Sequence, residues 1–195
     1  GSGNPKLGGA DFDLALFDHI NDKFKKDHGI DLSNNQSSKW KLEMECEQIK
    51  KELSFEDKVK VEMPGIAFDK EGKPLNIKMS ITRKTFESLI SKKVDETKKA
   101  MQKALDLAKK ADPAFSGKPK DVGVVLLVGG STRIPYVYEL VKEFMGQEPQ
   151  KAIDADLAVS MGAGYYGAII SGEDDSVVLN RCPLSFGTEV VQEMN

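Results

Sequence analysis

Apolar positions in the first part of the chain recur with two different periods. Phe12, Leu16, Ile20 and Phe24 come every four residues, which lines them up on one face of a helix. An amphipathic helix is therefore expected over 11–27, ended by Gly29. Leu42, Cys46, Ile49 and Leu53 mark the buried face of a second helix, over about 38–53, after a polar turn at 31–38. Segments 59–63 and 75–81 alternate as strands do. The polar, Gly- and Pro-bearing stretch 69–74 between them predicts a hairpin. Thr82 then caps a long helix over about 83–111, whose many lysines read as a solvated face. Pro113, Gly117 and Pro119 mark 112–120 as a loop.

Beyond the loop the pattern changes from periodic to continuous. Every residue of 122–128 except Gly123 is Val or Leu, as in a strand buried on both faces. Gly129 and Gly130 follow at once. Ser131 and Thr132 can each cap a helix, and Pro135 suits a first helical turn, so a helix is expected to run through 136–145. A short extension at 151–153, a helix over 156–171 and closing strands at 177–179 and 184–188 complete the prediction. The order suggests an α/β chain of two subdomains. A helix–helix–hairpin unit spans 8–90, and an α/β unit around the 122–128 strand spans 91–191, with the long helix bridging them.

Composition narrows the function classes. Over 195 residues the net charge is only -3 although 30% of residues are charged, so charge argues for neither nucleic acid nor an anionic membrane as partner. The longest nearly apolar run, 157–170, is too short to span a bilayer. No charged-then-apolar leader is visible. Cys46 and Cys182 are too few for a disulfide scaffold, and reduced cytoplasmic thiols are the simpler expectation.

Two constellations carry candidate chemistry. The first is the strand–Gly-Gly–helix passage, where a ligand can approach bare backbone and a helix start favours negative charge. A nucleotide phosphate or ribose is a natural guest, although such turns also occur in α/β folds that bind nothing. The passage is neither of the two commonest phosphate signatures. The second is a polar stripe on the second helix. Glu47, Lys50, Lys51 and Ser54 stand at i, i+3, i+4 and i+7 and point one way. They can be a solvated face with Glu–Lys pairs. A solvated face is the commoner case for such a stripe; the other reading is a clamp, in which lysine stems cover a base while Glu47 and Ser54 bond ribose hydroxyls or base edges. Small residues along 158–168 would let that helix pack closely on the Gly-Gly turn. Asp156 before it is either a helix-start carboxylate or a ligand contact.

Taken together these residues resemble the ATPase domain of the 70 kDa heat-shock (DnaK-type) chaperone family. Residues 7–13, Leu-Gly-Gly-Ala-Asp-Phe-Asp, look like that family's L-G-G-E-D-F-D. Residues 46–54 are similar to its C-E-x-x-K-x-x-L-S adenosine-contact helix, and 128–135 match its V-G-G-S-T-R-I-P. Asp156 falls in its D-E-A-V-x-x-G-A-A helix, and 183–187 look like its P-L-S-L-G. The resemblance is collinear from about Leu7 to Glu189. It implies an actin-like (ribonuclease H-like) ATPase fold, of which this chain would be most of the second lobe, with an incomplete sheet and a helical and hairpin subdomain.

The resemblance also implies a site for ATP or ADP, with magnesium in the intact domain. Gly129, Gly130 and Ser131 would line the phosphate and ribose side. Arg133 and Lys51 would sandwich the adenine, Glu47, Lys50 and Ser54 would hold ribose and base, and Asp156 the purine edge. Gly8 and Gly9 would border the cleft near the phosphates. The expected partners are nucleotide-exchange and J-domain cochaperones, with unfolded peptide bound only through a domain outside this chain. Three departures stand out: Ala10 and Leu157 each replace an acid, and Lys51 stands where Arg is usual, so stacking on the base weakens. The family's first lobe, with its phosphate loop and catalytic lysine, has no counterpart here. No catalytic residue and no hydrolysis are therefore expected of this chain alone. The alternative is a non-hydrolysing, chaperone-related module of the nucleotide-exchange type. A sugar kinase of the same superfold would need a sugar pocket that is not visible.

Overall fold

The computed structural model describes residues 2–4, 7–150, 154 and 157–178. Helix α1 spans Gly9–His28 and α2 Gln36–Leu53. Strands β1 (Lys58–Phe68) and β2 (Pro74–Thr82) pair antiparallel, with a bulge between Met63 and Ala67. Helix α3 is Arg83–Ala111, α4 Pro135–Met145 and α5 Ala158–Ser171.

Local chemistry accounts for most boundaries. Gly8 occupies the cap position of α1. Its amide donates to Asp11 Oδ2 at 2.9 Å, so Asp11 satisfies a donor that the helix start would otherwise leave open. Gly29 ends α1 in the left-handed region at φ 71°. Asn35 caps α2, its side chain accepting from the Ser38 amide at 3.0 Å. Thr82 caps α3 by accepting from the Thr85 amide at 3.1 Å. The turn between α1 and α2 is tied by Asn21, which donates to Asp31 Oδ1 and accepts from the Leu32 amide, both at 2.9 Å.

The core is one buried cluster. The α1 residues Phe12, Leu16, Ile20 and Phe24 meet Leu42, Cys46, Ile49 and Leu53 of α2, all with 4% exposure or less. Val59, Val61, Ile77 and Ile81 close it from the hairpin, and Phe86, Ile90 and Val94 from the first half of α3. Ile134, just before α4, and Leu140, Val141 and Met145 extend it along the length of α4. Beyond Val94 only Leu105 of α3 is buried, which suits the lysine-rich face of that segment.

Several expectations from the sequence are corrected. The 122–128 run does not form a buried strand. It is extended, but among the described residues its one bridge is Leu126 to Gln150, parallel, supported by the Gln150 amide donating to the Val125 carbonyl at 2.8 Å. Val124, Leu126 and Val128 are about half exposed. A run this apolar is fully buried only between two neighbouring strands and two covering layers; among the described residues it has the single Gln150 bridge, and Val122, Val125 and Leu127 pack on the core from one side. Ser131 and Thr132 do not cap α4. Residues 130–133 form a 3-10 turn, Thr132 Oγ1 donates back to the Gly129 carbonyl at 2.7 Å, and Ile134 takes the cap position with Pro135 as first helical residue.

Helix α5 starts at Ala158 and has no buried residue. Its small side does not pack on the turn, and a Cβ built on Gly162, Gly164 or Gly167 would meet nothing within 4 Å. Val177 and Val178 are not in a strand. The other expected features at 151–153, Asp156, Leu179 and 184–188 lie outside the described residues.

Candidate functional site

Two segments far apart in sequence converge on one cleft of about 540 Å3. The last two turns of α2 and the residue after it contribute Glu47, Lys50, Lys51, Ser54 and Phe55. The turn into α4 contributes Gly130, Ser131, Arg133 and Ile134. The stripe read from helical spacing and the glycine turn thus face each other. The volume lies within the usual range for small-molecule sites.

The turn is built to present backbone and side chains together. Gly129 adopts φ 94° and ψ 148°, a conformation that side-chain-bearing residues rarely take. It throws the chain into the tight 130–133 turn. Ile134, 2% exposed, anchors the turn in the core beneath. Gly9 supplies a third border. A Cβ there would lie 3.1 Å from Lys50 Nζ and 3.4 Å from Ser131 Oγ, so the absence of a side chain lets α1, α2 and the turn meet. Gly8, one residue earlier, is engaged in capping α1. Gly8, Gly9 and Gly129 are not among the residues lining the cleft itself, and Asp156 lies outside the described residues.

Each cation at the cleft has an acidic neighbour. Lys51 Nζ sits 2.7 Å from Glu47 Oε1 one turn back, and the bonded ammonium holds the Glu47 carboxyl below the usual carboxylate range. Arg133 Nη2 sits 3.5 Å from Asp154 Oδ1. Lys50 Nζ sits 2.8 Å from Asp13 Oδ2 and donates to the Gly9 carbonyl at 3.3 Å. Ser54 Oγ donates back to the Lys50 carbonyl at 3.3 Å. With charges paired locally, the cleft offers directed donors and acceptors more than a net positive field. That arrangement suits a planar polar ligand held by stacking and hydrogen bonds. Lysine stems and the Arg133 guanidinium can cover a ring face, and Phe55, 71% exposed at the rim, adds an aromatic surface.

Sequence reasoning did not single out Phe55, Ile134, Asp13 or Asp154. Phe55 follows Ser54 directly and carried one signal, a large aromatic at a helix end beyond the core periodicity. Asp13 belongs to the first glycine motif, but its partner is 37 residues away. Cys46, next to Glu47, faces the opposite way into the core. Burial pushes its thiol up to about 12, which makes it inert packing and not a reactive group. Among the described residues no three His, Cys, Asp or Glu side chains converge as a metal site. No helix among them is long and apolar enough to cross a membrane.

The family model described as Hsp70 protein matches residues 1–195. The chain belongs to the Hsp70 protein family. Among curated relatives, the protein named Chaperone protein DnaK of Thermotoga petrophila is 40% identical over 194 residues, covering 97% of this chain and 31% of the relative. Proteins of the same name from Thermosipho melanesiensis and Thermosipho africanus are 39% and 38% identical with the same coverage. The chain thus spans about a third of the length of these relatives. Membership in the Hsp70 family implies the actin-like ATPase fold, and the mixed helix and strand content observed here is consistent with it.

Proposed function

We propose that this chain is the adenosine-binding side of the nucleotide-binding domain of an Hsp70-type chaperone, its second actin-like lobe. The observation that carries the reading is the convergence of the α2 stripe with the 130–133 turn on one cleft. Lys51 and Arg133 cover the two faces of the adenine. Glu47, Lys50 and Ser54 bond the ribose and base edge. By the family resemblance, Ser131 and the Gly129–Gly130 backbone would serve the phosphate side, Gly8 and Gly9 would border that end, and Asp156, outside the described residues, would serve the purine edge. In the parent protein, ATP binding and hydrolysis would be coupled to gripping unfolded peptide, with J-domain and nucleotide-exchange cochaperones as partners.

Phosphoryl transfer needs charge neutralisation and positioning on both sides of the γ-phosphate. The cleft described here supplies one side. In the intact domain magnesium would be held with the nucleotide phosphates. The chain is therefore expected to bind adenosine nucleotides weakly and not to hydrolyse ATP. Titration calorimetry with ADP tests the first part and phosphate release tests the second. Steady release well above buffer, abolished by a bulky residue at Gly130, would overturn the reading.

Ala10, exposed in the first turn of α1, and Leu157, 55% exposed, stand where the family carries acids. They favour keeping a second reading, a non-hydrolysing module that acts by binding another chaperone. Nucleotide titration of the full-length parent decides between them: turnover supports the motor, and tight binding without turnover supports the module.

A further inference from the structure

We propose that Asp13, one turn into α1, is a positioning residue for the cleft, holding the Lys50 ammonium so that its remaining donor serves a bound nucleoside; this role rests on the adenosine reading above. An ammonium has three donors and no acceptor. One of the Lys50 donors goes to Asp13 Oδ2 at 2.8 Å and a second to the Gly9 carbonyl at 3.3 Å. Both partners lie on α1, while Lys50 itself lines the cleft from α2. Among the described residues one donor is thus left for a ligand, and the α1 contacts set its origin.

The pair is far more shielded than its neighbours. The Asp13 and Lys50 side chains are 21% and 15% exposed, against 47% and 60% for Glu47 and Lys51 and 51% and 41% for Asp154 and Arg133. Shielding strengthens the attraction and makes loss of one partner costly, because the other is left as an uncompensated charge. Asp13 Oδ1 is buried and has no hydrogen-bond partner among the described residues. The carboxylate therefore depends on Lys50, and release of the lysine would leave neither oxygen bonded.

The consequence is pre-organisation. A lysine on a free four-carbon stem loses rotamer entropy when a ligand fixes it, whereas one already fixed loses little. Lys51 illustrates the contrast: its partner Glu47 lies on the same helix and the pair is open to water, so it can swing over a ring face. In this division Lys50 is the fixed donor and Lys51 the adaptable cover.

The test uses the full 195-residue chain with adenosine as the probe. Adenosine affinity is measured by calorimetry for the wild type, Asp13→Asn, Asp13→Glu, Lys50→Met and the Asp13→Asn/Lys50→Met double variant. The Lys50 ammonium signal is followed separately by 15N NMR without ligand. Asp13→Asn is expected to weaken adenosine binding about tenfold, the scale of a hydrogen bond to a charged group. Asp13→Glu should recover most of the loss, and Asp13→Asn should change nothing further in the Lys50→Met background. The slowly exchanging ammonium signal of the wild type should disappear in Asp13→Asn. Should Asp13→Asn fold poorly, the double variant, which strands no charge, still reports whether Asp13 acts through Lys50. Equal affinities for the wild type and Asp13→Asn, or the same loss from Asp13→Asn with and without Lys50, would overturn the role. A wild type that fails to bind adenosine while its ammonium signal is held by Asp13 would overturn the adenosine reading, and this role with it, leaving only the ion pair.

Discussion

The 122–128 segment should behave as an open edge that recruits a second copy. Val124, Leu126 and Val128 are 52%, 49% and 48% exposed, and among the described residues Leu126 has one bridge partner. Fully burying a Val or Leu side chain stabilises by about 1.5–3 kcal/mol, so covering the exposed halves of three yields roughly 2–4.5 kcal/mol per strand. Two copies pairing edge to edge gain roughly twice that, plus backbone hydrogen bonds. The loss of translational and rotational freedom offsets about 4–15 kcal/mol. Weak association is therefore expected, with Kd from micromolar to millimolar. Hydrogen exchange at Val124–Val128 should be fast in dilute protein and slow as concentration rises, and sedimentation should show heavier species over the same range. Leu126→Lys should remove the concentration dependence, because a charge on the strand opposes edge pairing. Strong, concentration-independent protection of this strand in a sedimenting monomer would refute the reasoning.

Other outcomes follow from particular side chains. Phe86→Ala should cost about 3–5 kcal/mol in denaturant unfolding, since Phe86 is 1% exposed at the join of α3 and the core. Phe55→Ala should leave stability nearly unchanged but weaken adenine nucleotide binding, and equal nucleotide affinity would remove Phe55 from the site. Bonds from Ser33, Asn21 and Lys25 hold the Asp31 carboxyl well below the usual carboxylate range. Its contribution to stability is thus present above the ordinary carboxylate pKa of about 4 and is lost as pH falls below it. Asp31→Asn should flatten the acid limb of a thermal-melt series against pH. In a Cys182→Ser background, Cys46 should resist alkylation at pH 8 until denaturant is added, and rapid labelling of the native protein would contradict its burial.

How far the sequence carries depends on how local the cause is. The four-residue recurrence of Phe12, Leu16, Ile20 and Phe24 needs only one helix and a core to be read, and all four are buried. Thr82 and Gly29 act within a turn of their own positions, so the boundaries they set were legible. The 122–128 run was legible as apolar and extended, but hydrophobicity states a demand for burial without saying whether neighbours meet it. The polar stripe shows the same limit. Lys51 pairs with Glu47 at the helical spacing, whereas Lys50, on the same stripe, turns to Asp13 on another helix. No spacing rule encodes that contact, because α1–α2 packing creates it. The cap on α4 failed differently: Thr132 bonds back to Gly129, a local competitor for the helix start.

Adenosine titration of Arg133→Ala beside Lys109→Ala tests the central claim most directly. Arg133 lines the cleft, while Lys109 lies on the exposed final turns of α3. Stacking and cation–π contact of this kind contributes about 0.5–2 kcal/mol, or roughly a two- to thirtyfold change in affinity. Arg133→Ala should weaken binding by that factor, Lys109→Ala should leave it unchanged, and Lys51→Arg should tighten it by giving the base a planar partner. Equal effects of the two alanine variants, or a wild type with no saturable binding, would contradict the account.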